Sequence, residues 1–240
     1  MFIFSLVLCI NLCEENDGRC ISLRFLTFDY IKELIFTIPA VLLAISAHEF
    51  AHGYVSYKMG DPTPKTEGRL TINPLAHMDI AGSICLLIFK MGWAKPVKIN
   101  PYYYKDRKKG IIAVSLAGPL MNYLLAFIGM ILFAIFYEYK NEFGIWCYYF
   151  TLINVGLGTF NLLPFPPLDG SNVLAELVPR VKSFYYRIER YSMPILVICL
   201  ATGFLEKPMN FISDAVINLL WRIVTNILDI GIIIQSGIFM

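Results

Sequence analysis

Charge is scarce in this chain. Of its 240 residues, 16% are Asp, Glu, Lys or Arg and 57% are hydrophobic, where an ordinary globular protein has about 25% and about 45–50%. The scarcity is uneven. Ile111–Tyr137 and Phe143–Leu168 hold no charged residue, and Leu34–Tyr57 holds Glu49 alone. Each window exceeds the length of about 20 residues that a helix needs to cross a bilayer, which excludes a soluble domain. The formal net charge is +2, with no basic stripe interleaved with aromatics, so nucleic acid is not an expected partner. Histidine is rarer still. Three residues of that type are too few for a di-iron membrane oxygenase site. The six cysteines (Cys9, Cys13, Cys20, Cys85, Cys147, Cys199) include no CxxC pair. Free thiols are therefore expected, with a Cys13–Cys20 bridge as the alternative on an oxidising side. Met1–Leu12 is apolar but lacks a basic start and a small-residue cleavage site, so it reads as a weak first span or interfacial segment.

What remains is an all-α polytopic membrane protein, a helical bundle of about five or six membrane segments. Residues 1–33 form a weak N-terminal span and connector, 34–173 the core, and 174–240 the C-terminal membrane segments. Strong spans are expected near Leu34–Tyr57, Ile111–Tyr137 and Ile145–Leu163, with an apolar run at Tyr191–Leu205. Between the first two, prolines break Lys58–His77 into loop or short extended structure. Ile80–Phe89 is too short to cross and fits a dip or hairpin in the membrane. Lys95, Lys98, Lys105, Arg107, Lys108 and Lys109 crowd one loop, and Arg180, Lys182, Arg187 and Arg190 another. Two spans separate these loops, so they share a side, and the positive-inside rule makes it cytoplasmic. The Tyr102–Tyr104 run beside the lysines reads as an interfacial anchor. At the C-terminus, Asn210, Asp214, Asn218, Arg222, Thr225 and Asp229 form one polar stripe on an apolar helix. Such a helix is expected to lie in the interface or pack its stripe against the bundle, rather than span plainly.

Two of the three histidines stand in His48-Glu49-Phe-Ala-His52. Positions i and i+4 share a helix face, so both imidazoles can reach one ion, and Glu49 stands where it can take a proton from the water such an ion activates. Two histidines and a carboxylate are costly inside an apolar span and need partners, water or a metal. The alternative is a buried polar cluster that helps helices pack. Catalytic zinc usually has three protein ligands. Asp169, in Asn161-Leu-Leu-Pro-Phe-Pro-Pro-Leu-Asp169-Gly170, is the best third candidate, because prolines break the helix there and expose polar backbone that membrane structure tolerates beside protein or water. On its own, Asp169 also reads as an ordinary loop carboxylate. His77, in the polar Asn73–Asp79 segment, is a candidate extra ligand, substrate contact or loop brace. Gly118, Pro119 and Asn122 are expected to serve close helix packing.

His48-Glu49-x-x-His52 followed by Asn161-x-x-Pro-x-Pro-x-x-Asp169-Gly170 resembles the site-2 protease family of intramembrane zinc metalloproteases. Gly68-Arg-Leu-Thr-Ile-Asn-Pro-Leu-Ala-His77 and Ala117-Gly-Pro-Leu-Met-Asn122 are similar to its compact prokaryotic branch, which lacks a PDZ domain. The resemblance implies one Zn2+ per chain on His48, His52 and Asp169, with Glu49 as general base. It implies Asn161 as a group that orients substrate or stabilises the oxyanion. The expected partners are the lipid bilayer and a transmembrane protein substrate, cut in or near its span, with the active site toward the cytoplasmic side of the cell membrane. The rival class is a non-proteolytic metal-binding membrane protein acting in ion transport or as an assembly partner.

Overall fold

A computed structural model describes residues 2–3, 28–79, 82, 92–137 and 142–228. The chain runs through β1 (Phe2–Ile3), α1 (Phe28–Lys58), the single turns α2 (Thr63–Thr66) and α3 (Pro74–His77), and β2 (Gly92–Trp93). A 3-10 turn at Pro101–Tyr103 follows, then α4 (Arg107–Phe136), α5 (Glu142–Leu162), α6 (Asp169–Leu177), α7 (Pro179–Ala201) and α8 (Glu206–Leu228). The architecture is helical. Among the described residues, the strand content is one minimal antiparallel pair, Phe2↔Trp93 and Ile3↔Gly92, extended by a bridge between Met78 and Ala94.

Four helices among the described residues are long and apolar enough to cross a membrane: Ile35–Lys58 within α1, then α4, α5 and α8. At about 1.5 Å per residue, the 30 residues of α4 reach about 45 Å, more than the hydrocarbon core requires. The chain is thus a multi-pass membrane protein. Of the five or six segments expected, the weak N-terminal span and the Ile80–Phe89 dip lie outside the described residues, apart from Phe2–Ile3 and Gly82. The Tyr191–Leu205 run does not stand as a segment of its own. Its first part is the second half of α7, continuous with the basic stretch before it.

Helix ends follow local chemistry. Asp106 caps α4 by accepting from the Lys109 N–H at 3.0 Å, and Asn73 caps α3 by accepting from the Leu75 N–H at 3.1 Å. Among the described residues, the core has three apolar clusters. Ala40, Val41, Ala44 and Ile45 of α1 pack on Phe150, Ile153 and Leu157 of α5. Phe160, Leu163 and Leu168 pack on Leu196 of α7. Met130 and Ala134 of α4 receive Val224 of α8.

The last contact removes one of the two placements expected of the α8 stripe and leaves the interfacial one. The stripe of α8 does not pack against the bundle: Asn210, Asp214, Asn218 and Arg222 are exposed, while Ile217, Leu220, Trp221, Val224 and Leu228 form the seam. Polar stripe and apolar seam lie side by side around the helix, and burial selects the seam because its transfer from water is favourable without partners. Asp229 lies outside the described residues. The six cysteines divide likewise: Cys147 and Cys199 are free thiols, and the other four fall outside the description.

Candidate metal centre

The first-span motif sits where α1 is most enclosed. Ala40, Ala44, Ala47 and Ala51 are small and buried, so α4 and α5 pack closely on the helix, and His48 and Glu49 are buried with them. His48 Nε2 and His52 Nε2 lie 2.8 Å apart. Each is 3.2 Å from Asp169 Oδ2. One ligand atom from each of the three residues falls within a span of 4.8 Å.

Asp169 reaches this position through its neighbour. A Cβ on Gly170 would lie 2.1 Å from the Leu162 carbonyl oxygen, so the start of α6 can press against the end of α5 only with glycine there. Asp169 occupies the first turn of α6, where the helix dipole favours a carboxylate. Ser171 Oγ donates to the Leu168 carbonyl at 2.6 Å and closes that turn.

The far nitrogens of both imidazoles are committed. His48 Nδ1 lies 2.6 Å from Asn122 Oδ1. The Asn122 amide nitrogen donates to the Ala44 carbonyl at 3.1 Å and to Asn154 Oδ1 at 3.0 Å, both pure acceptors, which fixes its oxygen toward His48. Asn154 in turn donates to the Phe150 carbonyl. His52 Nδ1 meets the Val114 carbonyl at 2.7 Å. Facing acceptors on their Nδ1 side, both rings carry the Nδ1–H tautomer and present Nε2 lone pairs to the same point, the arrangement metal-ligating histidines use.

Two observations test whether an ion fits. Asp169 Oδ2 is buried without a hydrogen-bond donor of its own. A Cβ on Gly118 would stand 2.4 Å from His52 Nε2 and 2.5 Å from His48 Nε2, so α4 leaves a gap facing both ligand nitrogens. The donor set, two imidazoles and a carboxylate, suits zinc with one position left for water. The residues fit the group.

Glu49, on the same helix between the two histidines, accepts from the Val97 N–H at 2.9 Å through Oε2. Asn161, fully buried, donates through Nδ2 to the Leu157 carbonyl at 2.8 Å, and its Oδ1 has no partner. His77 is not drawn into the cluster. Its Nε2 meets the Thr71 carbonyl at 2.8 Å, its carbonyl accepts from the Lys95 N–H at 2.8 Å, and Arg69 Nη1 donates to the adjacent Ala76 carbonyl. Those bonds tie the Arg69–His77 segment to itself and to Lys95. Gly118 and Asn122, expected to serve packing alone, prove to face the centre. The only signal for them in the sequence was their shared motif, since nothing in a helical period says which neighbour a small or amide residue meets.

Helices long and apolar enough to cross a membrane bring two histidines and one carboxylate together where they could hold a metal ion, which defines a class: a membrane-embedded metal-binding centre. The comparisons with known proteins agree. The description Peptidase family M50 matches residues 140–203, the stretch that holds Asn161 and Asp169. YwhC of Bacillus subtilis, named a putative zinc metalloprotease, is 35% identical over 192 residues, covering 75% of this chain and 85% of that protein. MJ0611 of Methanocaldococcus jannaschii, described in the same words, is 36% identical over 155 residues, 61% of this chain and 75% of its own. Rip2 of Mycolicibacterium smegmatis, also so described, is 29% identical over 186 residues, 74% and 71% of the two chains. No solved structure matches the chain. The chain belongs to peptidase family M50, the site-2 protease family, and is a zinc metalloprotease of that family.

Proposed function

We propose that the chain is an intramembrane endopeptidase that hydrolyses peptide bonds in or near the transmembrane segments of other membrane proteins. The observation that carries this reading is the convergence of His48, His52 and Asp169 within 4.8 Å inside apolar helices. These three residues hold one zinc ion. When bound, it supplies a Lewis acid and lowers the pKa of water.

The rest is done by side chains of this chain. Glu49 takes a proton from the attacking water and passes it to the leaving amine, a task suited to a carboxylate beside the ligands and shielded from bulk solvent. The unpartnered Asn161 Oδ1 is an acceptor, so it favours a substrate backbone N–H and orients the chain to be cut, while its second amide hydrogen is left to support the oxyanion. His77 acts as a brace rather than a ligand, in keeping with its hydrogen bonds. A helical substrate protects its own peptide bonds, so substrates are spans that unwind at small or helix-breaking residues. The basic loops, by the positive-inside rule, support a centre toward the cytoplasmic side of the cell membrane.

The test compares wild type, Glu49→Gln and Asp169→Ala in detergent. Wild type should hold about one zinc per chain and cut a single-span reporter with a Gly-Pro break. Glu49→Gln should keep the zinc and lose cleavage, and Asp169→Ala should lose most of both. A transporter or scaffold has no catalytic step for Glu49→Gln to remove, so unchanged cleavage in that variant would sink the assignment.

A further inference from the structure

One face of α1 carries more than the metal motif. Glu49, Gly53 and Ser56 succeed one another along it at helical spacing. The extended segment Ala94–Asn100 and the following turn run along this face. The Val97 N–H donates to Glu49 Oε2 at 2.9 Å, and the Val97 side chain lies where a Cβ on Gly53 would meet it at 3.3 Å. Two more of the segment's N–H groups are pinned. Lys95 donates to the His77 carbonyl at 2.8 Å, and Asn100 donates to Asp61 Oδ2 at 2.7 Å. Tyr104, just beyond, shares a 2.7 Å hydrogen bond with Ser56, whose hydroxyl donates to Asp61 at 2.8 Å.

We infer that Ala94–Asn100 is a strap that positions the Glu49 carboxylate, and that Asp61 is its anchor and thereby a positioning residue for the reaction. Asp61 is fully buried and, among the described residues, makes no ion pair. It accepts from Asn100 and Thr63 backbone N–H groups and from Ser56 Oγ. Burial pushes its carboxyl up, but these donors outweigh it and hold the pKa below the ordinary range, so the anchor is an anion. An anionic acceptor shortens and strengthens each bond it receives. With Oε2 of Glu49 occupied by Val97, Oε1 is the oxygen left to handle the proton. Losing the strap frees the side chain to rotate, which costs rate through misplacement while leaving the histidines untouched. The inference rests on Glu49 as the base proposed above.

The test uses the full chain loaded with zinc, in detergent, and three changes: Asp61→Asn, Glu49→Ala, and Val97 replaced by its α-hydroxy acid, which deletes the one N–H. Amide exchange across 94–100 and steady-state cleavage of the single-span reporter are measured together. Asp61→Asn and the Val97 ester should lower kcat by about tenfold or more, with KM and zinc content within about twofold of wild type. Exchange at Val97 should speed up by about tenfold in Glu49→Ala, and across 94–100 in Asp61→Asn. A general loss of structure would instead move KM and zinc together. If Val97 exchanges no faster in Glu49→Ala than in wild type, the strap does not hold Glu49 and the inference is overturned whatever the enzyme does. If exchange responds while Glu49→Gln still cleaves, the strap holds a residue that is not the base. That outcome overturns the base assignment, and the positioning role with it.

Discussion

Each imidazole at the centre has one nitrogen committed to the protein, and the two commitments differ in kind. His52 leans on a backbone carbonyl, Val114, which no side-chain substitution removes. His48 leans on the side chain of Asn122, and Asn122 on Asn154, so its orientation passes through side chains of three helices. Asn122→Ala should therefore weaken zinc by about 10–100-fold, the range seen when an outer partner of a ligating histidine is lost, as read by competition with a chelator. Asn154→Ala should cost less, because Asn122 keeps its bond to the Ala44 carbonyl. Gly118→Ala acts differently, since its methyl would contact both Nε2 atoms. Zinc content should fall sharply there with the helices intact, which far-ultraviolet circular dichroism checks. At this scale the sequence was legible where residue type states its chemistry. His48, Glu49 and His52 are ionisable or ligating groups in an apolar span, and their expense marked them out, while Asp169 stood out only through the proline-broken helix end it occupies and the histidine pair upstream. Asn122 and Gly118 have no such mark. An amide and a hydrogen atom become informative only once the facing helix is known.

Among the elements, the broken helix between α5 and α6 bears the heaviest geometric demand. Asp169 must arrive beside a histidine pair on another helix, and the Leu162 carbonyl stands in the way of any side chain at position 170. Gly170→Ala should push α6 back from α5 and, with it, the carboxylate from both histidines. The expected result is loss of zinc and a lower midpoint of thermal unfolding, measured on the same preparation. Zinc retained at the wild-type level in Gly170→Ala would mean that α6 has slack the packing does not suggest. The three strong spans were legible from their charge-free lengths, within a few residues of the observed helices. The boundary between the basic stretch and the apolar run at residue 190 was not, because α7 continues straight through a change in composition that alters its surroundings but not its backbone hydrogen bonding. The outcome at α8 has a similar cause: a polar stripe and an apolar seam are equally visible in a period of 3.6, and packing chooses between them.

Across the whole molecule, the apolar clusters do not tie the helices equally. One joins α1 to α5 and another joins α4 to α8, while α7 is held chiefly through Leu196 against Phe160, Leu163 and Leu168. A metal ion held by His48, His52 and Asp169, as proposed, would add a link that the clusters lack, from α1 directly to the start of α6. A ligand that binds the folded state alone stabilises it by RT ln(1 + [L]/Kd), about 2.7 kcal/mol at a concentration of one hundred times Kd. That gain belongs to the elements the ion joins. Chelation should then lower the thermal midpoint and open residues 164–201 to protease, while α1, α4 and α5 stay protected by their own packing. Limited proteolysis of chelated and reloaded protein reads the difference directly. Uniform loosening of all helices would mean that the ion holds the bundle as a whole. No change at all would mean that the Tyr185 hydroxyl bond to the Pro164 carbonyl and the Leu196 cluster already suffice to dock α6 and α7. The expected pattern, a firm three-helix body with a metal-latched α6–α7 arm, would also give a peptidase of this kind a way to admit an unwound strand of substrate without dismantling the helices that hold its histidines.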